Sequence, residues 1–296
     1  MAKKRIKEER CVVINGKFCP ESKAVISVFD KGFLYGDGAF ETMRGYGGRI
    51  FRFEEHYRRL SWALEYLEID ISYDSGEIRD LIRQLMKKNF AKDAYIRVTV
   101  TRGSGDGRID IEDKSSPTVL IVVKPFTPYD KKFCREGMTA RMSGIRRNDK
   151  SPVPQLKTLN YLEPILARRE AREAGADEGI LIDNQGRVMG GAVSNIFVVD
   201  DRGLVTPAEG YAILSGITRK AVLEIAKDMR MKAVESHISI DELLSAKEVF
   251  ITNTLMEIMP VVEIDGKIIG NGKPGPTTKK ISKAYKELVT KETGTG

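Results

Sequence analysis

The chain is 296 residues long, is 41% hydrophobic and carries a formal net charge of +7. This length and apolar content allow one large core or two moderate ones, and two domains are the expectation. Basic residues are interspersed with acidic ones except near the N-terminus, so we predict a flexible basic tail over residues 1–11 and no nucleic-acid partner. No apolar stretch reaches the length of a membrane span, which favours a cytoplasmic protein without a membrane partner.

The few cysteines and histidines argue against a disulfide framework and against a metal site. Cys11, Cys19 and Cys134 are too scattered for a disulfide framework or a zinc site, and the two histidines, His56 and His237, form no cluster. We therefore expect no metal site and a reducing compartment. A hydrolase of the Ser-His-Asp kind has no support in the sequence.

The pattern of residues 12–124 predicts a small N-terminal α/β domain. Three glycines between Gly32 and Gly38 are followed by a strand-like run. Because no helix follows them, they do not form the phosphate loop of dinucleotide-binding or P-loop proteins. Strands are predicted at 11–15, 50–53, 94–101 and 118–124, the last buried on both faces, and helices at 54–67 and 75–90.

The strand predicted at 94–101 alternates with period two, which places Tyr95, Arg97, Thr99 and Thr101 on one face. An arginine between an aromatic ring and hydroxyl groups is suited to binding a carboxylate in a bidentate way. A solvated strand face accounts for the same residues, and the pattern alone leaves both interpretations open.

Two prolines and a charged run follow Lys124 and are typical of a domain boundary. We place an interdomain linker at 125–135 and a larger C-terminal α/β domain at 136–296. The elements predicted in this domain are strands at 138–146, 178–183, 187–189, 195–199, 232–236 and 248–251, and helices at 160–174, 214–229, 240–244 and 277–290.

One lysine of the second domain has an unusual setting. Prolines block regular structure before Lys157 and an apolar helical pattern begins after it, so Lys157 lies at a loop-to-helix junction between Leu156 and Leu159. A lysine held there tends to point inward, and a desolvated ammonium readily loses its proton to become an amine nucleophile. This is what a Schiff base with an aldehyde cofactor requires, although the local context alone favours an ordinary surface lysine.

The helix predicted after Leu214 begins with Ser215-Gly216-Ile217-Thr218. Such a start offers free backbone N–H groups, a hydroxyl and the positive end of the helix dipole, which together suit a phosphate. Ordinary helix capping explains the same residues at least as well. The pattern by itself does not choose between these two roles.

Seven short motifs carry a resemblance to a known family. They are Tyr35-Gly36-Asp37-Gly38-Ala39-Phe40-Glu41, Glu55-His56-Tyr57-Arg58-Arg59-Leu60, Tyr95-Ile96-Arg97, Lys157-Thr158-Leu159-Asn160-Tyr161, Ser194-Asn195-Ile196-Phe197, Gly216-Ile217-Thr218-Arg219 and Thr252-Asn253-Thr254. In this order they resemble the class IV pyridoxal-phosphate aminotransferases, which include branched-chain aminotransferases, D-amino-acid aminotransferases and aminodeoxychorismate lyases. The resemblance extends from about Val12 to the C-terminal helix.

The resemblance implies a mixed α/β, two-domain enzyme of fold type IV with its active site between the domains. It also implies a homodimer, in which a loop of one subunit helps to close the other's site. Its cofactor is pyridoxal 5′-phosphate (PLP), bound as a Schiff base to Lys157 and hydrogen-bonded at its phenolic oxygen by Tyr161. The phosphate is assigned to Arg59, the N–H groups of Ile217 and Thr218, and the Thr218 and Thr254 hydroxyls. The substrate side is assigned to Tyr35, Phe40, Tyr95 and Arg97, with Thr254 and Leu255 at the α-carboxylate turn.

The chain departs from the family at one cofactor position. A glutamate normally precedes the Ser-Asn-Ile-Phe motif and bonds the protonated pyridine nitrogen, whereas the aligned residue here is Gly190. A hydrogen bond to a charged group contributes about 1.5–3 kcal/mol. If that bond acted only in the transition state, its loss would slow the reaction by roughly one to two decades.

The resemblance therefore implies an aminotransferase that moves an amino group between an amino acid and a 2-oxo acid. Tyr95-Ile96-Arg97 favours branched-chain substrates, and the missing Arg-x-His pair on this strand argues against D-amino acids. Two alternatives remain. One is an aminodeoxychorismate lyase, which forms 4-aminobenzoate and pyruvate; the other is a PLP-binding protein whose catalysis is weakened by Gly190.

Overall fold

The structure is a computed structural model that describes residues 9–109, 116–210 and 212–295. These residues form two compact units, one reaching from the N-terminal side to Thr127 and including Thr295, the other spanning Pro128–Gly294. Most of the predicted basic tail, up to residue 8, lies outside the described residues. Within the described ranges, no helix has the length and apolar character needed to cross a membrane.

The first unit is built on an antiparallel sheet with the strand order β2-β1-β6-β5-β3-β4. Its strands are β1 (Cys11–Ile14), β2 (Lys17–Pro20), β3 (Gly38–Tyr46), β4 (Arg49–Ile50), β5 (Ala94–Thr101) and β6 (Thr118–Pro125). Its helices are α1 (Lys31–Tyr35), α2 (Phe53–Tyr66) and α3 (Ser75–Lys88).

Helix α3 shows why these residues fold as they do. Asp74 and Glu77 form a capping box, in which each side chain accepts a hydrogen bond from the other's backbone N–H, at 2.8 and 2.9 Å. Ile78, Ile82 and Leu85 recur at helical spacing and are fully buried. The helix therefore starts at a defined residue and packs one apolar face against β1 and β6.

Two expectations for the first unit are wrong. Strand β6 is buried on one face only, because Val119, Ile121 and Val123 are buried while the alternate residues are partly exposed. The run of apolar residues does not reveal that α3 covers one face of this sheet. The returning strand predicted at 50–53 is also shorter, since Phe53 is already the first residue of α2.

The second unit is built on a mixed sheet with the strand order β12-β11-β10-β13-β14-β7-β8-β9, and β15 pairs with β14. Its strands are β7 (Met138–Arg147), β8 (Glu178–Asp183), β9 (Val188–Gly191), β10 (Asn195–Asp200), β11 (Gly203–Thr206), β12 (Ala233–Glu235), β13 (Glu248–Asn253), β14 (Glu257–Ile264) and β15 (Lys267–Ile268). Its helices are α4 (Lys131–Glu136), α5 (Leu162–Glu173), α6 (Ile217–Asp228), α7 (Ile240–Leu244) and α8 (Pro276–Thr293).

The apolar core of the second unit holds the strands that carry several of the motifs described above. Ile180, Ile196 and Ile251, from β8, β10 and β13, are fully buried in one apolar cluster. Helix α5 packs on β7 and β8, and α6 packs on β13. The strand ends and helix starts of this unit are consequently held by a rigid, close-packed scaffold.

Glu248 on β13 caps the start of α8. Its carboxylate accepts hydrogen bonds from the N–H groups of Thr277 and Thr278, at 2.9 and 2.8 Å, and from the Thr278 hydroxyl at 2.8 Å. A side chain at Gly275 would place its Cβ 2.0 Å from the Glu248 carboxyl carbon, so the glycine makes room for this cap.

We expect Glu248→Ala to lower the free energy of unfolding by about 1–2 kcal/mol, because the first turn of α8 loses its carboxylate cap. Urea titration followed by circular dichroism measures the change. Glu287→Ala, which removes a carboxylate from an exposed position of the same helix, is the control and should change stability by less than about 0.5 kcal/mol. Equal effects of the two substitutions would contradict the capping role.

Candidate active site

Lys157 lies in a turn between a short 3₁₀ helix, Val153–Gln155, and α5. Its φ of 49° is in the left-handed region, which costs a non-glycine residue about 1–2 kcal/mol. Its neighbours Leu156 and Thr158 are buried and hold the turn. The Lys157 Nζ lies 3.3 Å from the hydroxyl of Tyr161, the residue just before α5. Backbone strain enforced by its surroundings concentrates at functional sites, so the turn supports a chemical role for Lys157.

Helix α6 begins at Ile217 with a glycine N-cap and therefore without a side-chain cap from that position. Ile217 and Thr218 are both buried. The Asn195 side chain donates to the Leu214 carbonyl at 2.8 Å and packs so closely that a Cβ on Gly216 would lie 1.9 Å from its Oδ1. Asn195 therefore shapes the start of α6, where backbone N–H groups and the helix dipole suit an anion.

The buried hydroxyl of Thr252 lies on the same face of the sheet as the Asn195 side chain. Thr252 is the register partner of Asn195, so the two side chains project from one face of the β10–β13 pair. Thr252 is fully buried, and its Oγ1 has no hydrogen-bond partner within the described part of the chain. A buried polar atom of this kind points to a bound group or water. The residues around the α6 start thus fit a phosphate group.

The turn between β13 and β14 carries Thr254 and Leu255. Asn253 fastens it, because its Oδ1 accepts from the N–H groups of Leu255 and Met256, at 2.9 and 2.8 Å. Its Nδ2 donates to the Val193 carbonyl at 3.2 Å, which ties the turn to the segment between β9 and β10. Sequence reasoning assigned no role to Asn253, although an asparagine whose side-chain oxygen can accept from the backbone N–H two residues later is a recognisable turn signal.

Gly190 lies in β9, opposite Leu181 of β8. Its φ is +151°, and a Cβ there would lie 2.7 Å from the Ser194 carbonyl oxygen. The backbone at the position to which the resemblance assigns a glutamate is therefore arranged around the absence of a side chain.

Glu178 at the start of β8 is a buried carboxyl on the strand that pairs with β9, yet it faces away from Gly190. A Cβ on Gly191 would lie 3.2 Å from the Glu178 Cγ, and Gly191 pairs with Ile180 whereas Gly190 pairs with Leu181. Adjacent strand positions point to opposite faces, so Glu178 does not replace a carboxylate at position 190. Sequence reasoning missed this residue, because a glutamate at a strand end carries no signal of burial.

Burial raises the pKa of the Glu178 carboxyl above its ordinary value, and the charge of Arg168 and the N–H of Gly179 offset only part of this effect. An acid whose pKa is raised by folding stabilises the folded state most below its unfolded pKa, and that contribution is lost as the pH rises through the folded pKa. We therefore expect the free energy of unfolding of the wild type, relative to that of Glu178→Gln, to rise as the pH falls from 7 towards 4.5.

Thermal unfolding of both proteins across this pH range measures the difference. Glu173→Gln, at an exposed position of α5, is the control and should follow the wild type at every pH. A pH-independent difference between wild type and Glu178→Gln would show that folding does not raise the pKa of this carboxyl.

In the first unit, Arg59 on α2 is joined to Glu41 on β3. The Arg59 Nε and Nη2 donate to the two Glu41 oxygens at 2.6 and 2.9 Å, and the His56 Nδ1 lies 2.8 Å from Glu41 Oε2. Burial alone would raise the pKa of Glu41, but Arg59 and then His56 outweigh it and hold that pKa well below its usual range. The sequence assigned only Arg59 to a site, since a contact across 18 residues leaves no local pattern.

The other residues predicted at the substrate side lie on the sheet of the first unit or beside it. The Arg97 guanidinium lies 3.6 Å from the centre of the Phe40 ring, and its Nε donates to the Thr99 hydroxyl at 3.2 Å. Tyr95 shares this partly exposed face, as the period-two pattern predicts. Tyr35, at the end of α1, donates its hydroxyl to the Gly107 carbonyl.

The chain belongs to the amino-transferase class IV family, whose family model matches residues 38–264. Together with the mixed α/β fold, this confirms the family and the fold class expected from the motifs. The match includes β3, the Lys157 turn, the α6 start and the β13–β14 turn.

Individual relatives differ in the reaction that their names give. A protein of Methanocaldococcus jannaschii, named provisionally as a branched-chain-amino-acid aminotransferase, is 40% identical over 281 residues, which cover 95% of this chain and 96% of that protein. The aminodeoxychorismate lyase of Bacillus subtilis is 34% identical over 94% of both chains. Among solved structures, the branched-chain amino acid aminotransferase of Escherichia coli has a TM-score of 0.92 at 31% identity, covering 97% of this chain and 96% of its own.

Proposed function

We propose that the protein is a PLP-dependent aminotransferase that exchanges an amino group between a branched-chain amino acid and a 2-oxo acid. The observation that carries the proposal is the strained turn of Lys157, with its Nζ 3.3 Å from the Tyr161 hydroxyl. Membership of the class IV family and the similarity to branched-chain enzymes support the same reaction.

The cofactor would be held mainly by the second unit. Lys157 would carry it covalently, and Tyr161 would donate to its phenolic oxygen. The N–H groups of Ile217 and Thr218 at the α6 start would bind its phosphate, where the unpartnered Thr252 hydroxyl supports a bound group. To these we add the Thr254 hydroxyl and, from the first unit, Arg59.

Bound PLP supplies an electron sink for the charge that develops at the substrate Cα. The work of the chain is to place the proton. Once the substrate amine has replaced Lys157 on the cofactor, the freed Lys157 amine would take the proton from the substrate Cα and deliver it to the cofactor, so one group would act as base and then as acid. The Tyr161 hydroxyl orients this amine, and the neighbouring buried Leu156 and Thr158 fix the turn that presents it.

Substrate selection is assigned to the face of the first unit that carries Phe40, Tyr95 and Arg97. The Arg97 guanidinium is fixed against the Phe40 ring and suits a carboxylate, while the aromatic rings suit an apolar side chain. Leu255, on the turn fastened by Asn253, is assigned to the α-carboxylate side.

We further propose a cytoplasmic homodimer in which Tyr35 and its loop contribute to the partner's site. Exposed apolar side chains cluster in the segment that leads to Tyr35, and such a cluster is typical of a protein interface. The members are Val25, Ile26, Val28, Phe29, Phe33 and Leu34. Analytical ultracentrifugation tests the dimer, and a monomer at micromolar concentration would contradict it.

A lyase is the second candidate. It is favoured by the similarity to the Bacillus subtilis enzyme and by Gly190, since a reaction that needs less stabilisation of negative charge tolerates the missing carboxylate better. A third candidate, a PLP-binding protein with little turnover, rests on Gly190 alone.

One experiment separates these candidates. The purified protein is mixed with PLP, the absorbance band of the lysine-bound cofactor is recorded, and amino donors are then added one at a time. Conversion to the pyridoxamine form with leucine, isoleucine or valine supports the aminotransferase. Formation of 4-aminobenzoate and pyruvate from aminodeoxychorismate supports the lyase instead. A band that no donor changes would leave only cofactor binding.

A further inference from the structure

We propose that Glu41 is a positioning residue for the cofactor phosphate, because it fixes the guanidinium of Arg59 in the orientation that binds this group. The inference rests on the proposed function, which assigns Arg59 to the phosphate. It concerns a residue to which neither the motifs nor the comparisons give a role.

Glu41 holds Arg59 by two hydrogen bonds rather than one. Both of its oxygens are used, since Oε1 accepts from Nε at 2.6 Å and Oε2 from Nη2 at 2.9 Å. A bidentate pair fixes the plane of the guanidinium as well as its position, so the direction of Nη1 is set too. One hydrogen bond would leave the guanidinium free to rotate, and a lysine in place of the arginine would have no plane to fix.

A third residue fixes Glu41 itself. The His56 Nδ1 lies 2.8 Å from Glu41 Oε2, and the side chains of Glu41 and His56 are each only 1% exposed. Glu41 is near the middle of β3, and both partners are on α2. The carboxylate is thus locked between a strand and a helix and has little freedom to let the guanidinium turn.

Stability alone does not account for such a cluster. A buried ion pair often contributes less to stability than apolar residues of the same volume. The exposure of the three side chains also differs, because Arg59 is 10% exposed while its two partners are at 1%. The guanidinium is therefore the member that reaches the edge of the cluster, and the buried residues behind it serve to aim it.

The test compares PLP with pyridoxal, which has the same aldehyde and ring but no phosphate. Dissociation constants of both are measured by absorbance and by fluorescence titration for the wild type and for Glu41→Gln, which keeps the size of the side chain but removes its charge. We expect Glu41→Gln to weaken PLP binding roughly ten- to a hundredfold and to leave pyridoxal binding within about twofold.

Two further variants keep the result interpretable. Glu54→Gln, at an exposed position of α2, removes a carboxylate that pairs with Arg79 of α3, and it should bind both compounds like the wild type. Glu41→Asp keeps the charge but retracts it, and it should also lose affinity for PLP selectively. It serves as the decisive variant if Glu41→Gln does not fold, as judged by its thermal unfolding.

The outcomes are distinct. Selective loss of PLP affinity supports the inference. Unchanged PLP binding in both Glu41 variants overturns it, and so does an equal loss for PLP and pyridoxal, which would mean that Glu41 only stabilises the unit. A wild-type protein that binds neither compound would refute the proposed function itself.

Discussion

Lys157→Ala should abolish the covalent attachment of PLP and the transfer of amino groups. In the proposed mechanism, Lys157 supplies both the amine that would carry the cofactor and the group that would move the proton from the substrate Cα. Loss of a positioned acid–base group alone costs roughly 10²–10⁴ in rate, and the loss of covalent attachment adds to it. The absorbance band of the lysine-bound cofactor should be missing at any PLP concentration. Borohydride treatment followed by mass spectrometry should find no PLP on the peptide around position 157.

Lys150→Ala is the matched control. Lys150 lies between β7 and the short 3₁₀ helix that precedes Lys157 and is exposed, so its removal should leave the band, the labelled peptide and the rate unchanged. The folded state of Lys157→Ala is checked by circular dichroism. Retention of both the band and the activity in Lys157→Ala would show that another lysine carries the cofactor, and the assignment of the site would then fail.

Gly190→Glu should destabilise the protein strongly instead of restoring the carboxylate that the resemblance implies at this position. A residue with a side chain at φ +151° is strained, which costs about 1–3 kcal/mol. Its Cβ would also lie 2.7 Å from the Ser194 carbonyl oxygen, and such overpacking costs a further 1–3 kcal/mol or so. We therefore expect the free energy of unfolding to fall by about 2–6 kcal/mol.

Two comparisons make this prediction specific. Gly190→Ala should lose nearly as much stability, because the strain arises at Cβ and not at the carboxylate. Gly144→Ala, on β7, is the control, since its Cβ would meet only the Glu170 carboxylate at 3.7 Å, an ordinary contact. If Gly190→Glu were as stable as the wild type and transaminated faster, the backbone at position 190 would accept a side chain, and this prediction would be wrong.

The family and the mixed α/β fold could be predicted because short motifs and their order can be read from the sequence without knowing how the side chains pack. Helices α3 and α7 were placed to within about two residues, since each has a capping box that marks its start. The sequence did not show α4 or β11. The first has six residues and the second four, too few for a periodicity to develop.

The residues that position the site residues through hydrogen bonds are harder to predict from the sequence than the site residues themselves. Lys157 and Tyr161 are four positions apart, so one local pattern contains both. The partners of Arg59 and of the α6 start come from other elements, and only the fold brings Glu41 or Asn195 to them. The fold also decides which apolar residues are buried. An apolar side chain such as that of Val25 predicts burial, yet Val25 is 79% exposed.

The close approach of Asn195 to Gly216 has a consequence for how this family varies. Asn195 Oδ1 lies where a Cβ at position 216 would be, so a side chain at 216 requires the Asn195 side chain to move or to be shorter. We therefore expect aligned relatives with a side chain at position 216 to carry a residue shorter than asparagine at position 195.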